Sequence, residues 1–351
     1  HPREHDLIIG TFGRAAWVID DIRPLRAIAK DKDLLKEKIH LFTPPTAYQA
    51  AYQQPTGSRF GGDALFNGEN RGGGAKFSFY LNREEIAEEK EEVENTKIKW
   101  DSIQLKIYDG DRLIRTLKKK TPEENGIHTW TWYMDEKGTQ SPSKKLRESK
   151  SEPSGISVLP GNYTTILSYG DQVSKTNITI ESDPRITKNK EASLEIYEIL
   201  KEMEGLKKVT ANAVKQLVES KKTASKFIDR LTEKNKDDHK EDLEKCNDIK
   251  EKIDAILALY FGKEDTRQGI TNTPEISVID RYRNASNYIG TRQNGITKTE
   301  YNLLKQAKEA LNEALKLTNA FFESEWANFK LKMENIEFTD FETIKTFKIN
   351  K

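Results

Sequence analysis

Cysteine is almost absent from this chain of 351 residues, in which Cys246 is the single example. A lone cysteine excludes an internal disulfide, so packing and hydrogen bonds have to hold the fold. Cys246 follows Leu243 and precedes Ile249 and Ile253 at helical spacing, which predicts a thiol on the apolar side of a helix. We therefore interpret it as a small buried apolar residue and not as a reactive thiol.

An excess of either charge is also lacking, since 58 Lys and Arg residues face 57 Asp and Glu residues. Proteins that bind nucleic acid or anionic membranes usually show a clustered basic excess, so neither partner is predicted. No apolar run approaches the roughly 20 residues of a membrane-spanning helix, and no signal peptide is present. The chain begins His1-Pro2 without an initiator Met, so we expect a processed, engineered or cleaved product.

The motifs of zinc, nucleotide and hydrolase sites are lacking as well. The five histidines never occur at zinc-ligand spacing, and there is no nucleophile elbow, P-loop or dinucleotide fingerprint. A glycosidase needs two carboxylates roughly 5–10 Å apart, whereas Asp20 and Asp21 would point to opposite faces of a strand. We assign no catalytic, cofactor-binding or metal-binding residue, and whether the chain belongs to an enzyme stays open.

Residues 1–29 are predicted to form a β-hairpin. The stretch DLIIGTFGRAAWVIDD contains two apolar runs joined across Phe12, Gly13 and Arg14. An isolated hairpin is only marginally stable in water, so this pair of strands needs a partner surface. A short helical turn is expected to follow at Pro24.

Residues 30–184 favour a β-sandwich of immunoglobulin-like type with an extended linker at its beginning, because short alternating strands are separated by turn residues. The polar interval from Glu136 to Ser154 is interpreted as a mobile loop. Trp130 and Trp132 fall on one face of a predicted strand, where they either pack in the core or form a stacking platform for a sugar. We favour core packing, because a small sandwich needs large apolar side chains.

Residues 185–336 change to a helical period and predict an antiparallel helical bundle whose first helix has roughly 40 residues. Residues 337–351 alternate apolar and polar side chains, which suits a C-terminal tail or one added strand. The predicted fold class is therefore multidomain, β plus α, with a hairpin, a sandwich and a bundle in that order.

The opening stretch HPREHDLIIGTFGRAAWVIDDIRPLR resembles the closing segment of bacterial proteins built on sortilin-like, BNR-type β-propellers. GDALFNGEN, LPGNYT and DPR follow in the order expected from that family, and so does a helix that contains Trp326. One departure is Phe12, which stands where the family commonly has histidine, so any role of that polar ring is lost here. The Asp-box repeat of BNR propellers does not occur, which is expected if these are only the last propeller strands.

The resemblance implies that residues 1–29 are the last strands of a truncated propeller, and that the parent is exported to the periplasm or the cell surface. It implies a non-catalytic support and interaction region that contacts the remainder of the parent propeller, with protein or glycan as further candidate partners. An alternative is an accessory module of a BNR-type glycoside hydrolase whose active site lies in the propeller. A weaker alternative is a sortilin-like peptide receptor. No cofactor, nucleic acid or membrane span is expected.

Overall fold

The computed structural model describes residues 1–2, 4–50, 72–83, 102–146, 151–187, 189–234, 239–263 and 276–336. The predictions for most of the linker and for the tail 337–351 lie outside these residues. Two compact units are formed. The β unit comprises the described residues of His1–Thr139, Ser149–Lys201 and Gln293–Gly295, and the helical unit those of Gln140–Glu148, Glu202–Arg292 and Ile296–Lys351.

Short strands make up most of the β unit, as the alternating sequence predicts. They are β1 (Leu7–Gly10), β2 (Ala16–Ile19), β3 (Ile39–Leu41), β4 (Ala47–Gln49), β5 (Ala75–Leu81), β6 (Ser102–Asp109), β7 (Arg112–Lys120), β8 (Gly126–Trp132), β9 (Asp135–Lys137), β10 (Ser154–Ser157), β11 (Gly161–Tyr169) and β12 (Gln172–Ser182). One sheet has the order β4-β12-β11-β6-β7 and another β3-β5-β8, while β1-β2 and β9-β10 form separate pairs. All pairings are antiparallel except that of β4 with β12.

The two larger sheets share one apolar core. Strand alternation turns every second residue of β5 and β6 inward, and Phe77, Leu81, Ile103 and Leu105 are fully buried there. Val, Leu, Ile and Phe side chains contribute about 1.5–3 kcal/mol each when fully buried. This shared core joins the two sheets by packing.

The helices follow the predicted apolar stripes closely. They are α1 (Arg23–Lys30), α2 (Lys190–Lys234), α3 (Lys240–Phe261), α4 (Val278–Gly290), α5 (Lys298–Phe321) and α6 (Ala327–Glu334), with a π-helical turn at Phe322–Trp326 between the last two. Except for α1, each of them adds side chains to one apolar cluster of the helical unit. Cys246 lies inside this cluster, where burial raises the pKa of its thiol to about 11.

The boundaries of the compact units differ from the predicted domains. The first turns of α2, up to Lys201, belong to the β unit, and the described residues of 140–148 belong to the helical unit. The polar interval after Glu136 also has more structure than a mobile loop, because β9 and β10 pair at its two ends. A Cβ added to Gly138 would lie 2.2 Å from the carbonyl oxygen of Ser154, so a glycine is needed for this pairing.

The start of α5 is fixed by a capping box in which Thr297 and Glu300 hydrogen-bond to each other's backbone amides. Arg292 Nη2 also donates to Glu300 Oε1 at 2.5 Å, and Glu300 has no exposed surface. The hydrogen bonds from Arg292 and then from Thr297 lower the pKa of Glu300 from 4.5 to about 2.

We expect Glu300 to make the stability of the helical unit sensitive to acid. Its carboxyl has a lower pKa folded than unfolded, so its contribution is present above about pH 4.5 and is lost as pH falls toward about 2. Glu300→Gln should flatten this part of the pH dependence in urea unfolding followed by circular dichroism. The exposed Glu309→Gln on the same helix is the control and should retain the wild-type profile.

Candidate interaction surface

The β1–β2 hairpin is the most unusual surface of the described residues, because it is apolar on both faces. The register pairs Leu7 with Ile19, Ile8 with Val18 and Ile9 with Trp17. Strand alternation therefore places Leu7, Ile9, Trp17 and Ile19 on one face and Ile8 and Val18 on the other.

None of these six side chains is buried by the rest of the described chain. Their exposed fractions range from 41% for Leu7 to 64% for Trp17, and Phe12 at the tip is fully exposed. A hairpin in a soluble protein normally turns one polar face to water, so two apolar faces indicate strands that are covered on both sides. The hairpin confirms the predicted strands, and the described residues cover neither of its faces.

The base of the hairpin is held in a defined geometry. His5 and Asp21 both have positive φ values, 60° and 46°, a conformation that is uncommon for residues other than glycine. The Ile22 amide donates to the His5 carbonyl at 2.9 Å, and the Asp21 amide donates to Asp6 Oδ1 at 3.0 Å. Arg23 Nε donates to Asp21 Oδ1 at 2.5 Å, so Asp21 serves as a structural acceptor where the chain enters α1.

The structure places both predicted stacking residues on the inner face of β8. Trp132 is opposite Ala75 in β5 and has no exposed surface, while Trp130 is opposite Phe77 and packs, partly buried, against the same core. Trp132 Nε1 donates to the carbonyl of Asp135 at 2.9 Å. The ring of Trp132 thus offers no free face to a sugar, and no two-ring platform is presented to solvent.

A charged network that the sequence analysis missed joins β7, β9 and the first turns of α2. Arg112 donates from both terminal nitrogens to Glu136, each at 2.9 Å, and from Nη2 to Asp109 Oδ2 at 3.0 Å. Tyr197 Oη donates to Glu136 Oε1 at 2.5 Å, and Lys201 Nζ lies 5.6 Å from the centre of the Tyr197 ring. Glu136 therefore connects a strand edge to a helix within the β unit.

The ionisation of this network fits a structural role. Burial would raise the pKa of Glu136, but hydrogen bonds from Arg112 and Tyr197 outweigh it and leave that pKa below its ordinary value. Burial and the hydrogen bond to Glu136 raise the pKa of Tyr197 to about 12. A carboxylate that stays charged and a phenol that stays neutral near pH 7 keep the hydrogen bonds and the ion pair of this network intact. Arg112, Glu136 and Tyr197 are 24 to 85 residues apart, so no local motif could have revealed their contact.

Features of other functional classes are absent from the described residues. They contain no group of three or more His, Cys, Asp or Glu side chains placed to hold a metal ion. In the same ranges, no helix is both long enough and apolar enough to cross a membrane.

Comparisons of the chain with protein-family models, with curated proteins and with solved structures gave no match. The resemblance to sortilin-like propeller proteins accordingly rests on the quoted sequence motifs alone.

Proposed function

We propose that this chain is a non-catalytic support and interaction region of an exported bacterial protein of the BNR, sortilin-like type, and that its β1–β2 hairpin adds strands to that protein's β-propeller. In this proposal the two larger sheets are an immunoglobulin-like sandwich and the following helices are an antiparallel bundle. The observation that supports it is the hairpin with two exposed apolar faces.

A propeller is a partner of suitable geometry for such a hairpin. Its blades are four-stranded antiparallel sheets arranged around a central channel, so each blade is covered on both faces by its neighbours. A two-stranded hairpin supplies half of one blade, and its free edges continue the hydrogen bonding. The side chains are about half exposed, so burying the six of them would contribute on the order of 5 kcal/mol before the costs of association.

The proposal predicts that the hairpin matters for association and not for the stability of the chain itself. The test uses a double variant that combines Ile8→Lys with Trp17→Lys and so places one charge on each face of the hairpin. Because both side chains are exposed, the free energy of unfolding should change by less than about 0.5 kcal/mol. Leu331→Lys is the control, since Leu331 is 62% exposed on α6, far from the hairpin in sequence.

To measure association, this chain and the segment encoded upstream of it in the same reading frame are expressed together as two separate polypeptides. Size-exclusion chromatography with light scattering should show a complex for the wild type and for Leu331→Lys, and separate peaks for the double variant. A reading frame without propeller-type repeats would contradict the proposal, and so would a double variant that still forms the complex.

A further inference from the structure

The outer face of the five-stranded sheet is polar and presents lysines from three strands. On β6 the inward positions are taken by Ile103, Leu105 and Ile107, which are fully buried, so Gln104 and Lys106 lie on the opposite, outer face. The same alternation turns the outward residues of β7, β11 and β12 to this side.

Strand register arranges these residues in rows across the sheet. The rows read Lys175-Ile166-Lys106-Thr116, Val173-Ser168-Gln104-Lys118 and Asn177-Thr164-Tyr108. Two strand spacings separate Lys106 from Lys175, which is about 10 Å. Lys118 is the diagonal neighbour of Lys106 at about 7–8 Å. Three cations therefore lie close together on one face of the sheet.

Within the described residues, acidic side chains do little to neutralise this surface. At the outward positions of β6, β7, β11 and β12, the one carboxylate is Glu181, near the end of β12. Glu152 reaches the edge of β7, where its Oε2 accepts the Thr116 amide at 2.8 Å. Its Oε1 lies 3.2 Å from Lys137 Nζ, so that charge is already paired.

The neutral polar groups on this face are arranged as hydrogen-bond donors. Thr164 Oγ1 donates to Asn177 Oδ1 at 3.1 Å, and Thr179 Oγ1 donates to Asn162 Oδ1 at 2.8 Å. With each amide oxygen turned to a threonine, each amide NH2 group is left to donate outward. A surface of ammonium and amide donors suits a ligand that is rich in acceptor oxygens and negatively charged.

We propose that this sheet face binds an acidic polysaccharide, meaning a glycan with repeating carboxylate groups. The carboxylates would pair with Lys106, Lys118 and Lys175, the sugar oxygens would accept from the asparagine amides, and the ring of Tyr108 offers an apolar surface to a sugar. A nucleic acid is the less suitable polyanion, because the chain as a whole has a net charge of only +1. This inference is independent of the hairpin.

Charge reversal at two adjacent residues tests the proposal. Lys118 and Lys119 are both exposed and follow each other on β7, but they point to opposite sides of the sheet. With polygalacturonate as the probe at low salt, Lys118→Glu should weaken binding about tenfold, while Lys119→Glu should stay within about twofold of the wild type. The fully methyl-esterified polymer, which has the same backbone without charge, should not bind measurably.

Three outcomes would overturn the proposal. They are an equal loss of polygalacturonate affinity in Lys118→Glu and Lys119→Glu, binding of the esterified polymer as tight as that of polygalacturonate, and tighter binding of a single-stranded oligonucleotide at the same salt. The last outcome would indicate an unselective polyanion surface. The hairpin double variant, Ile8→Lys with Trp17→Lys, should bind polygalacturonate as the wild type does, so a failure of the hairpin proposal and a failure of this one are distinguishable.

Discussion

Replacing Asp135 by alanine is expected to lower the free energy of unfolding of the β unit by about 3–5 kcal/mol. Asp135 Oδ2 lies 3.5 Å from Arg115 Nη2, and both side chains are more than nine-tenths buried. Arg115 Nη1 also donates to the carbonyl of Pro153, while its buried Nε has no hydrogen-bond partner. Without Asp135, the guanidinium would stay in the interior without its counter-charge.

The rescue variant separates the charge effect from loss of packing. The double variant Arg115→Met with Asp135→Ala removes both charges. It should recover most of the lost free energy of unfolding, because no uncompensated charge then remains in the interior. Urea unfolding followed by tryptophan fluorescence is a suitable measurement, since Trp132 hydrogen-bonds to the Asp135 carbonyl and contributes to the signal.

An exposed ion pair provides the matched control. Asp33 and Lys36 are 2.7 Å apart, closer than the buried pair, but their side chains are 77% and 80% exposed. Asp33→Ala should cost less than about 1 kcal/mol, because water already solvates both charges. If Asp135→Ala cost no more than Asp33→Ala, the buried pair would not be the stabilising contact we infer.

Trp132→Ala should destabilise the β unit by about 3–5 kcal/mol, the usual cost of removing a large buried aromatic side chain. Its ring has no exposed surface, packs edge to face with Tyr163 at 5.8 Å, and uses its indole nitrogen in a hydrogen bond. Removing it creates a cavity between the two sheets and leaves the Asp135 carbonyl without that donor.

Trp130→Ala is the matched control, because Trp130 lies on the same strand and the same face but is only partly buried. Trp130→Ala should lower the free energy of unfolding by about half as much as Trp132→Ala, or less. Hydrogen exchange of the β6 and β11 amides reports on unfolding without relying on either tryptophan. Equal losses in the two variants would be inconsistent with the central position of Trp132.

Much of the fold could be predicted because it depends on local periodicity. Alternation predicted short strands in residues 30–184, and on β5 it turns Phe77, Phe79 and Leu81 into the core. The helical period that begins after residue 185 predicted a first helix of roughly 40 residues, and α2 has 45. In both cases, the repeat of the secondary structure determines which side chains face inward.

The pairing of β9 with β10 could not be predicted in the same way. Composition alone indicated a mobile loop after Glu136, since the interval is polar and rich in lysine and serine. Gly138 and Gly155 were the available signs of close backbone approach, and each would clash if it had a Cβ. The buried Asp135 and its partner Arg115 are 20 positions apart in number, and only folding makes them neighbours.

The sequence by itself determined that residues 7–19 form an apolar hairpin, that the next region is β and that the last is helical, because each follows from short-range pattern. Only the tertiary structure decided that the hairpin is exposed on both faces, that Trp132 is enclosed, and that lysines from β6, β7 and β12 share one surface. These properties depend on which strands pair and in what register. That choice is made by long-range packing, which the local sequence does not encode.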